Sequence, residues 1–440
     1  MAVPLMSEVI GAPVFAGFRM SLSLTDSQLQ AATDVLDEVL DFRHPADAVL
    51  SNFFRARRQL GSRERAFAAD ATYGVVRHLR QLRRVAGEGV GPRKLIFAWL
   101  MRCEGLSIRQ LEPFLSVSER GWLAGLKSEA KEATTLAERC DLPDWLADRM
   151  AAQYDEASLL ALADALNQSA PFDIRVNPFK AERDTVLARL QAEGVKAEAG
   201  RFSPYAIRLE TRVPLQKHPL FVDGSIEVQD EGSQLLALLL APKRSEMVAD
   251  FCAGAGGKTL LLGALMRSTG RLYAFDVAEK RLARMKPRVA RSGLSNVHPA
   301  LIAHENDQRI KRLAGKLDRV LVDAPCSGMG TLRRNPDLKW RQTERDLLEL
   351  VQRQAAILAA AARLLKVGGR LVYATCSLLR EENDAIVDAF LAAHPAFAEE
   401  PANEVLAAQK IALDTGTRLR MSPVTHDTDG FFAAVLTRKE

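Results

Sequence analysis

Apolar residues recur at helical spacing through the early chain. Leu29, Val35, Leu36, Val39 and Leu40 mark one helix, and Leu50, Phe53 and Phe54 continue the pattern after His44-Pro45. Phe67, Ala71, Val75, Leu79 and Leu82 predict a third helix, which Gly87 to Pro92 break before Leu95 to Met101 open another. Residues from about 26 to 130 therefore read as helical, with no strand among them. The pattern changes at Pro171. A strand over 172–176, a helix over 182–193 and a strand over 206–209 predict a small α+β module.

Beyond Gly224 the alternation becomes regular. Strands are expected over 247–251, 271–276, 300–304, 319–323, 370–375 and 431–437. Helices are expected over 233–240, 259–266, 280–292, 343–365 and 381–393. Apolar strands separated by amphipathic helices predict a mostly parallel sheet covered on both faces. Such a sheet binds ligands beyond the carboxyl ends of its strands. The distinctive motifs fall there.

The chain of 440 residues is long enough for two or three domains. With 48% hydrophobic and 26% charged residues, it has no stretch approaching the ~20 uncharged apolar residues of a membrane span. Its start lacks the pattern of a secretory signal, and Met20 begins a polar, cap-like stretch, so residues 1–19 read either as a loose extension or as a start assigned too early. The five cysteines (Cys103, Cys140, Cys252, Cys326, Cys376) form no Cys-x-x-Cys and no Cys/His ladder, so no metal site is expected. Their odd count fits a reducing, cytoplasmic setting better than a disulfide framework.

Charge is unevenly spread. Residues 51–94 hold eleven Lys/Arg against three acids, a larger excess than the +5 of the whole chain. A basic block on an otherwise balanced chain suggests a polyanionic partner, although a solvated helix face has the same composition.

Four motifs carry chemistry. In Asp250-Phe251-Cys252-Ala253-Gly254-Ala255-Gly256-Gly257-Lys258-Thr259, glycines allow close backbone approach and the helix start offers free N–H groups. A P-loop would need Gly at Cys252, and a dinucleotide fingerprint would need Gly at Thr259. A nucleoside ligand such as S-adenosylmethionine fits better, with a purely structural turn as the other reading. Asp276, closing the next strand, suits a ribose or a helix cap equally. After the third strand, Glu305, Asn306 and Asp307 compete for the adenine, with Asp307 favoured. Asp323-Ala324-Pro325-Cys326-Ser327-Gly328 and Tyr373-Ala374-Thr375-Cys376-Ser377 then place two cysteines after neighbouring strands ~5 Å apart. These read as exposed-type thiols that helix-start N–H groups can hold as thiolates, a disulfide being the less suitable reading.

Together these motifs resemble the RNA cytosine-5 methyltransferases of the Nol/Nop/Sun family, most of all its bacterial Sun branch, which acts on small-subunit ribosomal RNA. Arg175-Val176-Asn177, Gly224, Gln229-Asp230 and Asp429-Gly430-Phe431-Phe432 add to the likeness over about 140–440. Tyr73-Gly74-Val75-Val76-Arg77 extends it to a NusB-like helical domain. One departure is Gly254-Ala255 where the family commonly has Ala-Pro.

The resemblance implies an α/β, Rossmann-like class I methyltransferase domain over 226–440, an all-α NusB-like domain over 20–138, and a linker with a small α+β module over 139–225. It implies S-adenosylmethionine held by Cys252, Ala253, Gly254, Ala255, Gly256, Gly257 and Lys258, with Asp276, Asp307 and Asp323. Cys376 is the implied nucleophile toward carbon 6 of the base, Asp323 the group that binds the base, and Cys326 the aid to release. Arg175, Asn177, Arg333, Arg334 and Lys339 are expected to grip RNA phosphates. The expected partner is RNA, with small-subunit ribosomal RNA preferred over transfer RNA, and the expected state is a monomer. Two other classes stay open: a DNA cytosine-5 methyltransferase, and a non-catalytic ribosome-assembly factor.

Overall fold

The computed structural model describes residues 24–128 and 135–439. The loose extension expected over 1–19 lies outside them. The chain forms two compact units. One holds Ala170–Thr331 with the chain from Arg345 onward; the other holds the described residues up to Ser169 together with Leu332–Glu344.

The second unit is helical. Thr25 starts its first helix, Asp26–Leu40, with a reciprocal capping box to Gln28, and Leu29, Val35 and Leu36 enter a core shared with Leu50, Phe53, Phe54 and Phe97. The predicted third helix is two helices, Ser62–Arg77 and Leu79–Ala86. The break at His78 comes from a distant residue: the Asp141 carboxylate accepts the Arg80 N–H (2.9 Å) and caps the second helix. No local signal announces it.

The first unit contains two sheets. In the smaller, β1 (Phe172–Val176), β2 (Ala197–Ala199), β3 (Ala206–Leu209) and β4 (Ile226–Val228) pair antiparallel in the order β2-β3-β1-β4. Helix Arg183–Ala192 covers it through Val186 and Leu190. The strand pattern exposed β1 and β3; β2 and β4 are too short to show alternation.

The larger sheet comprises β5 (Met247–Asp250), β6 (Arg271–Asp276), β7 (Val297–Leu301), β8 (Leu317–Asp323), β9 (Leu365–Thr375), β10 (Phe397–Glu400), β11 (Leu419–Met421) and β12 (Phe431–Arg438). Its order is β10-β12-β9-β8-β5-β6-β7, with β11 paired to β12. The pairs from β7 to β9 are parallel, and β12 runs antiparallel to β9. Alternate residues feed two cores: Val248, Leu272 and Leu321 pack beneath helices Glu231–Leu240 and Gly257–Leu265, whereas Ala249, Phe275 and Val322 pack against Leu358 and Val387. The third strand lies three residues earlier than expected, because Pro299 is tolerated in β7 at the parallel edge. Among the described residues, no helix is long and apolar enough to cross a membrane.

Candidate active site

Strand order reverses between β5 and β8, and the motifs meet there. The glycine turn leaves β5 with Gly254 at φ +57° and Gly256 at φ +88°. A Cβ at Gly256 would stand 2.7 Å from Met285 Cγ, whereas at Gly254 nothing lies within 4 Å. The turn is therefore packed at Gly256 and open at Gly254, beside Asp276. That acid accepts the Gly254 N–H at Oδ2 (2.8 Å) and the Ala278 N–H at Oδ1 (2.7 Å), with Arg281 3.1 Å from Oδ1. It holds the loop and the following turn at once. Two arginines hold the other side: Arg288 donates to Ala255 O (2.8 Å) and Arg175 to Gly257 O (2.6 Å). Asp307 caps helix Gln308–Lys311, accepting the N–H groups of Arg309 (2.8 Å) and Ala303 (3.0 Å).

Asp323 ends β8 beside Ala374 of β9, so the two cysteine loops leave adjacent parallel strands. Cys326 Sγ and Cys376 Sγ are 3.3 Å apart. Lys258 Nζ meets Asp323 Oδ2 at 2.7 Å, tying the glycine turn to the acid beside the thiols. Burial alone would lower the Lys258 pKa, but the Asp323 charge reverses this and raises it. The expectation of two exposed thiols needs correction: Cys376 is half-buried, while Cys326 is buried and its pKa is raised by the hydrogen bond to Cys376 and by desolvation. Burial and the contact with Cys376 both disfavour the Cys326 thiolate while the two sulfurs face each other.

The loops are laced from behind. Gly330 N–H donates to Cys376 O (2.8 Å), and Gly430 N–H donates to Gly330 O (2.7 Å). Gly330 admits no side chain, since a Cβ would lie 2.1 Å from Gly430 O. Asn383 Nδ2 donates to Ser377 O (2.9 Å). Buried Glu382 accepts from Ser327 and Ser377. Beneath the turn, Asp250 is buried and accepts from Thr259 Oγ1 (2.7 Å), while its Oδ1 has no partner among the described residues. Burial pushes its pKa up to about 7.

Several residues expected to hold RNA are placed elsewhere. Arg175 and Asn177 are buried and join the small sheet to the larger one, Arg175 through Gln229 and Gly257, Asn177 through Gly224 O (3.0 Å) and Ser292 O (3.1 Å). Lys339 is 1% exposed and donates to Arg77 O (2.8 Å), Asp141 O (2.7 Å) and Asn167 Oδ1 (3.2 Å). Buried Arg333 donates to Ser169 O (2.9 Å), and Arg334 is half-buried. These bonds hold protein groups where phosphate contacts were expected. The basic block is likewise divided: Arg80 and Arg93 bond to Leu142 O and Phe114 O (both 2.7 Å), while Arg55, Arg58 and Arg63 are exposed.

A doubly wound sheet with a glycine turn and acid at its first two strand ends has the architecture of a Rossmann-like methyltransferase. Residues 237–437 match the family described as 16S rRNA methyltransferase RsmB/F, and residues 142–216 match its ferredoxin-like domain. Ribosomal RNA small subunit methyltransferase B of Sodalis glossinidius is 38% identical over 307 residues, covering 69% of this chain and 68% of that protein. A probable ribosomal RNA small subunit methyltransferase B from Bacillus subtilis is 33% identical over 312 residues, covering 69% and 68%. The crystal structure of PH0851 superposes with a TM-score of 0.78 at 26% identity, covering 95% of this chain and all of that one. The chain belongs to the 16S rRNA methyltransferase RsmB/F family, whose methyl donor is S-adenosylmethionine.

Proposed function

We propose that this protein methylates carbon 5 of a cytosine in small-subunit ribosomal RNA, in the cytoplasm and as a monomer, through a covalent cysteine adduct. The observation that carries the reading is the pair of sulfurs 3.3 Å apart beside Asp323. Carbon 5 of cytosine is a weak nucleophile, and attack on carbon 6 by a thiolate makes it enamine-like. Cys376 Sγ, the less buried sulfur, forms that bond. Asp323, oriented by Lys258, accepts from the amino group and shares a proton with the ring nitrogen, which stabilises the adduct. When bound, S-adenosylmethionine supplies an electrophilic methyl group, and Asp276 with Cys252, Ala253, Gly254, Ala255, Gly256, Gly257 and Lys258 forms its site. Once the adduct has drawn Cys376 away from it, Cys326 as a thiolate takes up the carbon 5 proton, the carbon–sulfur bond breaks, and Cys376 leaves as thiolate. Reaching both sulfurs requires an unstacked base, so the target lies in an unpaired region.

The experiment is a pair of variants. Cys376→Ala abolishes methyl transfer, whereas Cys326→Ala accumulates a covalent protein–RNA adduct visible on denaturing gels. An active Cys376→Ala enzyme sinks the mechanism. Tritium release from carbon 5 of labelled RNA and DNA separates RNA from DNA as substrate.

A further inference from the structure

Among the described contacts, the two sulfurs are held by little of their own beyond each other. Directly behind each stands a serine, and both serines converge on one carboxylate. Glu382 Oε1 accepts the Ser327 N–H (2.8 Å) and Gln354 Nε2 (2.9 Å). Its Oε2 accepts Ser327 Oγ (2.5 Å) and Ser377 Oγ. The four donors match the acceptor sites of a single carboxylate. Gln354 also donates to Pro325 O (2.9 Å), and Tyr373 Oη donates to Glu382 O (2.6 Å), so the acid is anchored to helix Glu344–Ala362 and to β9. An acid that merely opened a helix would bond to its own first turn. This one, 0% exposed, joins residues that follow the cysteines on two different strands.

We propose that Glu382 is a positioning residue for methyl transfer, clamping the Cys326 and Cys376 loops so that both sulfurs reach one base. It touches neither base nor cofactor and acts through Ser327 and Ser377. The inference rests on the cysteine mechanism above. Misplacement of a reacting group by about 1 Å costs on the order of 100-fold in rate, so loss of the clamp lowers kcat while leaving the cofactor's site intact.

The test uses the full-length chain with Glu382→Gln, Ser327→Ala and Ser377→Ala. Three quantities are read: kcat and S-adenosylmethionine KM on small-subunit ribosomal RNA, the melting temperature, and the rate at which diamide joins Cys326 to Cys376. In that last step both thiols are oxidised to one disulfide and the diamide is reduced to its hydrazine, so the rate reports sulfur proximity without turnover. Glu382→Gln is expected to lower kcat about 100-fold, leave KM for S-adenosylmethionine near its wild-type value, and slow the crosslink. Each serine variant shows the same pattern more weakly. A Glu382→Gln protein that melts like wild type yet keeps its kcat, or crosslinks as fast or faster, overturns the proposal. If Glu382→Gln does not fold, wild-type kcat and crosslinking in both serine variants overturn it instead. An active Cys376→Ala enzyme rejects the underlying mechanism, whereas an inactive one beside a fully active Glu382→Gln rejects the clamp alone.

Discussion

Beneath the cysteine loops, the carboxylate of Glu382 is met by hydroxyl and N–H donors; in the 332–344 segment, the ammonium of Lys339 is met by oxygens of Arg77, Asp141 and Asn167. Both side chains are buried, and each is satisfied by the opposite kind of partner. Arg77 ends helix Ser62–Arg77, where carbonyls lack intrahelical partners, and a cation fits there. Trp340 repeats the device, donating from Nε1 to Val76 O (2.8 Å). A lysine and three arginines in one segment thus say little about phosphate until their surroundings are known. At the strand ends the polar residues come with glycines and follow the ordered strand, where a chain reversal keeps functional atoms near the ligand.

The contrast can be broken at either end. The largest effect is expected from Gly330→Ala, which places a Cβ against Gly430 O and Cys376 O. It should lower kcat by about 100-fold or more, and near wild-type turnover would show that the loop is not tightly seated. Lys339→Ala leaves buried oxygens unpaired and should cost about 3 kcal/mol of stability in urea titrations. Its RNA affinity should keep the wild-type dependence on salt. A salt slope reduced by about one would restore Lys339 as a phosphate contact. Exposed Arg58 provides the opposite control, since Arg58→Ala should reduce that slope by about one without a change in melting temperature.

The smallest effect concerns Asp250, whose folded pKa of about 7 lies above its unfolded value. Between about pH 4 and pH 7 the folded state binds the extra proton, so the group's contribution is full at acid pH and is lost as pH rises through 7. Asp250→Asn lacks this loss and can still accept from Thr259. Its stability relative to wild type should therefore increase from pH 5 to pH 8 in denaturant titrations, and a constant difference would place Asp250 ionised at both values.

Much of the site was legible because its residue types are tied to local geometry. Glycines at positive φ, an acid closing β6 and cysteines just after β8 and β9 are recognisable from strand and turn patterns alone. Glu382 lies within the helix expected over 381–393, and nothing local marks its role, because its partners lie 55 positions back at Ser327 and 28 back at Gln354. Arg288 and Glu227 escaped notice for the same reason: their pairing (2.9 Å) exists only after the small sheet docks, and the Arg288 bond to Ala255 O spans 33 positions. The break at His78 depends on Asp141 in the same way.

What the sequence by itself determined is the run of helices, the alternating α/β half and the chemistry at the strand ends. Each follows from periodicity or from side chains whose function is local to one turn. Only the tertiary structure decided which charges face inward, which sulfur is buried and which acid joins the two cysteine loops. A buried charge is stable only beside partners of the right polarity, and those partners arrive from segments that the fold alone brings together.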